Sequence, residues 1–243
     1  MNETHPPDDT RIIVRITQVP ELDAPLPQDM IDKLIASERL RIEKFTKRAD
    51  QWRFVIGRLL IAHVLLVEFG LSNWDLQFSA HGRPELYVKG LRSRLDVNIA
   101  HAGNLVVCAV VADGWVGIDV EPLASFNIAS EIVPHYLHLT ERPIFEDAGL
   151  SQKPIVAALY WVMKEAILKC RGTGLSVDPR SLRIDLPELK GQWYPHAGRA
   201  EHIAYHIEGG AYIGLAVSSP KAKGSTIRCD LEKVPLANMH IEH

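Results

Sequence analysis

The chain has 243 residues, 47% of them apolar and 23% charged, with a formal net charge of -3. That is ordinary globular composition, enough to bury a real core as one large domain or two small ones packed together. It lacks the basic field that a nucleic-acid partner would need, and no stretch approaches the roughly 18 apolar residues of a membrane helix, so neither partner is expected.

Residues 1–9 have no basic start and no apolar run, so they do not read as a signal peptide, and a cytoplasmic protein is expected. A short strand is predicted over Arg11–Thr17, a loop over Pro20–Pro27, and helices over Asp29–Ala36 and Glu38–Thr46. A longer helix begins near Asp50 and stops at Gly70. Short β runs follow at Leu76–Phe78, Leu86–Val88, Leu95–Ala100, Leu105–Ala112 and Val116–Glu121, which predicts an antiparallel meander. The second half repeats the order: helices over Ile128–His138, Glu141–Ala148 and Lys153–Cys170, then strands over Leu182–Leu186, His202–Ile207 and Ala211–Val217. Helices followed by strands, twice, predict two pseudo-symmetric α+β subdomains over residues 1–120 and 121–243, with an irregular tail after about residue 220. Cys108, Cys170 and Cys229 are far apart and form no CxxC pair, which predicts free thiols.

Five segments carry chemistry. In Val116-Gly117-Ile118-Asp119-Val120-Glu121, strand alternation puts the three β-branched residues on one face and Gly117, Asp119 and Glu121 on the other. Two carboxylates on one face repel, and a hard divalent cation would offset that; ordinary surface acids are the alternative. On the last long helix Trp161, Glu165 and Lys169 share a face at i, i+4 spacing, either as a site or as a solvent-facing ion pair, before Gly172 and Gly174. Asn98-Ile99-Ala100-His101 leaves an imidazole at an open turn, where it could reach a phosphate or simply face water. Gly82-Arg83-Pro84, after His81, presents a cation at a tight turn, and Arg53 follows a basic stretch that includes Arg39 and Arg41.

Taken in order, these segments resemble the Sfp-type 4'-phosphopantetheinyl transferases, over about Arg39 to Val217. The family pattern is G-[KR]-P, N-[LIF]-S-H, V-G-[ILV]-D-[ILV]-E and W-x-x-K-E-[AS]-x-x-K with a glycine-rich turn. One departure is Ala100, where the family has serine; the resemblance implies that a hydroxyl which would help hold the 3'-phosphate of coenzyme A is absent there, so that binding rests on His101 and Arg83 or is weaker. The resemblance implies transfer of the phosphopantetheine arm of coenzyme A to a serine of an acyl or peptidyl carrier protein, with 3',5'-ADP leaving. It implies the 4'-phosphopantetheinyl transferase fold with the active site in the cleft between the subdomains, and a monomer. Asp119, Glu121 and Glu165 would hold Mg²⁺, and Lys169 would pair with a phosphate oxygen. Arg53, Arg83 and His101 would bind the 3'-phosphate and adenine end, with Arg41 nearby. Glu165 is the candidate base, assisted by Asp119 and Lys169, and Glu141 a further candidate at the rim. The resemblance implies a holo-[acyl-carrier-protein] synthase serving fatty-acid, polyketide or nonribosomal-peptide carriers. The alternatives are a metal-dependent hydrolase of nucleotide pyrophosphates and a catalytically dead carrier-binding module.

Overall fold

The computed structural model describes residues 10–19, 21–80, 82–126, 132–185, 196–197, 201–219 and 227–239. The first half runs β1 (Thr10–Gln18), α1 (Gln28–Asp32), α2 (Ala36–Ile42), α3 (Arg48–Phe69), β2 (Trp74–Phe78), β3 (Pro84–Val88), β4 (Leu91–Arg92), β5 (Leu95–Ala102) and β6 (Leu105–Ala112). The rest runs β7 (Trp115–Pro122), α4 (Arg142–Asp147), α5 (Lys153–Arg171), β8 (His196–Ala197), β9 (His202–Glu208), β10 (Ala211–Ser218) and β11 (Ile227–Lys233).

The β runs do not form one meander. They divide into sheets ordered β11-β1-β6-β5, β7-β10-β9-β8 and β2-β3-β4. The reason lies in which faces are apolar. Strand β6 is apolar on both: Val106, Cys108 and Val110 pack with Ile56 and Leu60 of α3, while Val107, Ala109 and Val111 face the second sheet. There they meet Val116, Ile118 and Val120 of β7 and Ile213, Leu215 and Val217 of β10. The far side of the second sheet carries Ile203, Tyr205 and Tyr212 against Val162, Met163 and Ile167 of α5. The result is α+β, a long helix over a sheet in each half, with the two sheets back to back. A strand buried on both faces cannot sit in a one-sided meander, and so β7 turns away from β6 into the second sheet.

The tail is corrected by the structure. Residues 227–233 form β11, which pairs parallel with β1 from Thr10↔Ile227 to Ile16↔Lys233. Ile227, Cys229 and Leu231 point into the sheet-to-sheet core, and Arg15, 4% exposed on its side chain, reaches Asp230 of β11 at 3.4 Å. The first sheet therefore takes a strand, β11, from beyond residue 120, and the second begins with β7, which straddles that residue. Residues 182–185 are not a strand, residue 186 lies outside the described residues, and the helix expected before His138 is, among the described residues, a 3-10 turn at Val133–His135.

Candidate active site

A cavity of about 510 Å³ opens between the halves, with walls from the start of α3, the end of β5, the turn before β3 and the last turns of α5. Its geometry begins at Gly117. A Cβ there would overlap the carbonyl oxygen of Ala166 and the amide nitrogen of Cys170, so only glycine lets β7 lie directly on α5. Strand and helix then run past each other in opposite senses. Gly117 meets the turn at Ala166 and Cys170, Asp119 accepts a hydrogen bond from Lys169 Nζ at 2.6 Å, and Glu121 hydrogen-bonds the Trp161 side chain.

Glu165, Asp119 and Glu121 are thereby gathered. Burial raises the pKa of all three, and repulsion adds to it: Asp119 acts on Glu165, and both Asp119 and Glu165 act on Glu121. Lys169 pulls the other way on each. Asp119 Oδ2 and Glu165 Oε1 are buried without a hydrogen-bond partner. Among the described residues no three acidic, imidazole or thiol groups stand at metal-binding spacing. The donor set nevertheless fits a hard cation, because it offers two orphaned buried carboxylate oxygens beside a third acid.

The other wall is cationic. Arg53 donates from Nε to Gly103 O at 3.0 Å and pairs with Asp50 at 3.0 Å, which aims its guanidinium across the cavity mouth. His101 stands at the rim with its side chain open to solvent, yet the walls crowd the ring. Desolvation, then the charges of Arg53 and Lys169, hold its pKa below the ordinary imidazole value. Arg41 lies over the rings of Phe54 and Phe78 at 5.3 and 5.0 Å. Arg58, which sequence reasoning did not place at the site, stacks on the same two rings and pairs with Glu38 at 2.9 Å. Burial lowers its pKa. Phe54 and Arg58 share a helix face at i, i+4, the one sequence signal that could have found them.

Three expectations meet different surroundings. Ala100 packs in the sheet-to-sheet core, 5% exposed, and does not line the cavity, so its methyl withholds no hydroxyl from a ligand there. Glu141 is not at the rim: it is 1% exposed and paired with Lys164 at 2.6 Å, because its two oxygens are needed by the amides of His138 and Ile184. Arg83 does line the cavity, but its guanidinium is held by Asp96 and by backbone carbonyls of α5 rather than free for a phosphate. His81 lies outside the described residues.

A basic cavity beside a carboxylate cluster has the charge arrangement that a phosphorylated substrate calls for, and is the candidate active site. The family model of the 4'-phosphopantetheinyl transferase superfamily matches residues 115–216, and that of the N-terminal 4'-phosphopantetheinyl transferase region matches 27–113. The chain belongs to the 4'-phosphopantetheinyl transferase family. It is 28% identical to the 4'-phosphopantetheinyl transferase HetI of Nostoc, over 67% of this chain and 70% of that one. It is 25% identical to the 4'-phosphopantetheinyl transferase Sfp of Bacillus subtilis, over 68% and 74%. It is 30% identical to the 4'-phosphopantetheinyl transferase psf-1 of Bacillus pumilus, over 62% and 63%. Among the described residues no helix is long and apolar enough to cross a membrane.

Proposed function

We propose that this chain moves the 4'-phosphopantetheine group of coenzyme A onto a serine hydroxyl of an acyl or peptidyl carrier protein. The observation that carries this is the meeting of Asp119, Glu121 and Glu165 beside a cavity walled by Arg41, Arg53, Arg58, His101 and Lys169. Phosphoryl transfer asks little covalent chemistry of a protein and much positioning and charge.

In this reading Arg53 and His101 bind the 3'-phosphate, and Arg41 and Arg58 with their two phenylalanines border the nucleotide. Asp119, Glu121 and Glu165 would hold Mg²⁺, which when bound neutralises pyrophosphate charge. Lys169 moves its ammonium from Asp119 to a phosphate oxygen. Glu165, its pKa raised by burial and by Asp119, takes the proton from the carrier serine. The serine oxygen forms the new bond to the β-phosphorus, and the bond from that phosphorus to the bridging oxygen breaks, releasing 3',5'-ADP. A monomer suffices, because both halves of one chain wall the cavity. The free thiols Cys108, Cys170 and Cys229 suit the cytoplasm.

The test is incubation with coenzyme A, Mg²⁺ and apo carriers of fatty-acid, polyketide and peptide synthesis, read by intact mass. Gain of one phosphopantetheine on a carrier is expected. Cleavage of coenzyme A without an acceptor, or carrier binding without modification, would overturn the reading.

A further inference from the structure

Arg83 sits on a turn fixed by its own backbone: Ser79 N donates to Arg83 O at 2.9 Å, and Arg83 N donates to Ser79 Oγ at 3.1 Å. Its side chain leaves that turn for the interior and is 6% exposed. One terminal nitrogen donates to the carbonyls of Lys169 and, at 2.8 Å, Cys170. The other donates to Asp96 and, at 3.3 Å, Val116 O. The group also lies 5.0 Å over the ring of Trp115. A guanidinium has five N–H donors. Four are engaged, and the Nε hydrogen is buried without a partner.

These partners belong to three elements. The final carbonyls of a helix have no partner within it, and α5 ends at Gly172, whose φ of +71° closes the last turn. Arg83 supplies that end with a buried cation. Asp96 of β5 holds the cation, and the same carboxylate accepts the amide of Val116 on β7 at 2.8 Å. Thus the end of α5, the edge of the first sheet and the edge of the second meet at one side chain. Lys169 is held at both ends, its carbonyl by Arg83 and its ammonium by Asp119.

We propose that Arg83 is a positioning residue: it clamps the C-terminal turn of α5 to the seam between the two sheets, and by that sets where Lys169 and Glu165 stand against Asp119. A phosphate ligand would need free donors, and here only Nε–H is left. A lysine in its place would keep the charge but lose the planar fork that spans several acceptors.

The inference rests on the transferase reading. Wild-type enzyme that modifies no carrier would sink that reading, whereas the kinetics of variants address Arg83 alone. The experiment measures kcat and KM for coenzyme A and for dephospho-coenzyme A in wild type, Arg83→Lys and Asp96→Asn, below each protein's thermal midpoint. Both variants should lose kcat by about tenfold or more, a barrier change of about 1.4 kcal/mol. KM and the preference for coenzyme A over dephospho-coenzyme A should stay near wild type. In a Lys169→Met background Arg83→Lys should cost less than it does in wild type, because part of its effect runs through Lys169. Should Arg83→Lys fail to fold, Asp96→Asn releases the same fork from its other side. Three results would overturn the proposal: a raised KM with lost 3'-phosphate preference and kcat intact, an unchanged kcat, or additive losses with Lys169→Met.

Discussion

Helix α5 carries two lysine–carboxylate pairs of the same length. Lys164 meets Glu141 at 2.6 Å, with side chains 0% and 1% exposed, and Lys169 meets Asp119 at 2.6 Å, with side chains 29% and 9% exposed. Their surroundings differ. Lys164 Nζ also donates to the carbonyls of Tyr136, Leu182 and Pro179 at 2.7, 2.9 and 3.1 Å, and both oxygens of Glu141 accept backbone amides. Every polar side-chain atom of the pair has a partner, and the pair stitches the loops on either side of α5 to the helix. The Lys169 pair leaves Asp119 Oδ2 and the neighbouring Glu165 Oε1 without partners, at the edge of a cavity. A buried network that is complete holds the fold; one left incomplete beside open space has capacity for something from outside.

The largest expected effect comes from breaking the complete network. Lys164→Met leaves Glu141 buried with its charge uncompensated, which typically costs about 3–5 kcal/mol. Urea unfolding should show that loss, with transfer activity close to wild type in the fraction that remains folded. A loss under about 1 kcal/mol, the range of exposed pairs, would dissolve the contrast between the two sites.

Asp119→Ala tests the incomplete site. Transfer should fall by at least about a hundredfold, roughly 2.7 kcal/mol of barrier, while stability changes little. Single-turnover transfer followed by intact mass measures the rate. A variant within about tenfold of wild type, about 1.4 kcal/mol, would remove the carboxylate cluster from the chemistry.

Much of this site was legible because it follows local periods. The two-residue alternation of Gly117, Asp119 and Glu121 and the i, i+4 spacing of Trp161, Glu165 and Lys169 each place side chains on one face without any tertiary knowledge. What was not legible is pairing at long range. Nothing near Glu141 announces Lys164, and nothing near Arg83 announces Asp96 or the carbonyls at the end of α5. Strand β11 was missed for a related reason: Arg228, Asp230 and Glu232 make it read as a charged tail until Arg11 and Arg15 of β1 pair with Asp230. Ala100 shows the opposite error, a residue read as facing the ligand because the motif is linear, whereas strand alternation turns it into the core.

The Arg83–Asp96 node lies between the two extremes: strongly bonded, yet with Asp96 Oδ1 and Arg83 Nε unpartnered. Burial pushes the Asp96 carboxyl up from 3.8 to about 6, against the lowering influence of Arg83, the Val116 amide and Arg92; Cys170 of α5 also faces it. Between pH 4 and 6 the folded chain keeps a proton that the unfolded chain has lost. The contribution of Asp96 to stability therefore falls as pH rises through that window, by at most roughly 3 kcal/mol, and is flat above it. The measurable quantity is the stability difference between wild type and Asp96→Asn at pH 4, 5, 6 and 7. A difference that grows in favour of wild type from pH 4 to 6 would show that pairing with Arg83 outweighs burial.

The smallest expected effect is the counterpart of the first, the same substitution one turn and a residue further along the helix. Lys169→Met removes a cation whose partner borders open space, so water or a proton can serve Asp119 in its place. The stability change should stay within about 1 kcal/mol, as for partly exposed pairs. The consequence appears instead in ligand binding. In the free enzyme Lys169 Nζ holds the position beside Asp119 that a divalent cation would compete for. Two like charges disfavour each other at a shared carboxylate. Calorimetric titration with Mg²⁺ in the absence of coenzyme A should therefore give tighter binding to Lys169→Met than to wild type. Coenzyme A, by drawing the lysine to its phosphates, should narrow the gap. If both proteins bind Mg²⁺ equally well, or the variant binds it more weakly, Lys169 is not the resident counter-charge of Asp119, and the incompleteness of that site must be explained by the carboxylates alone.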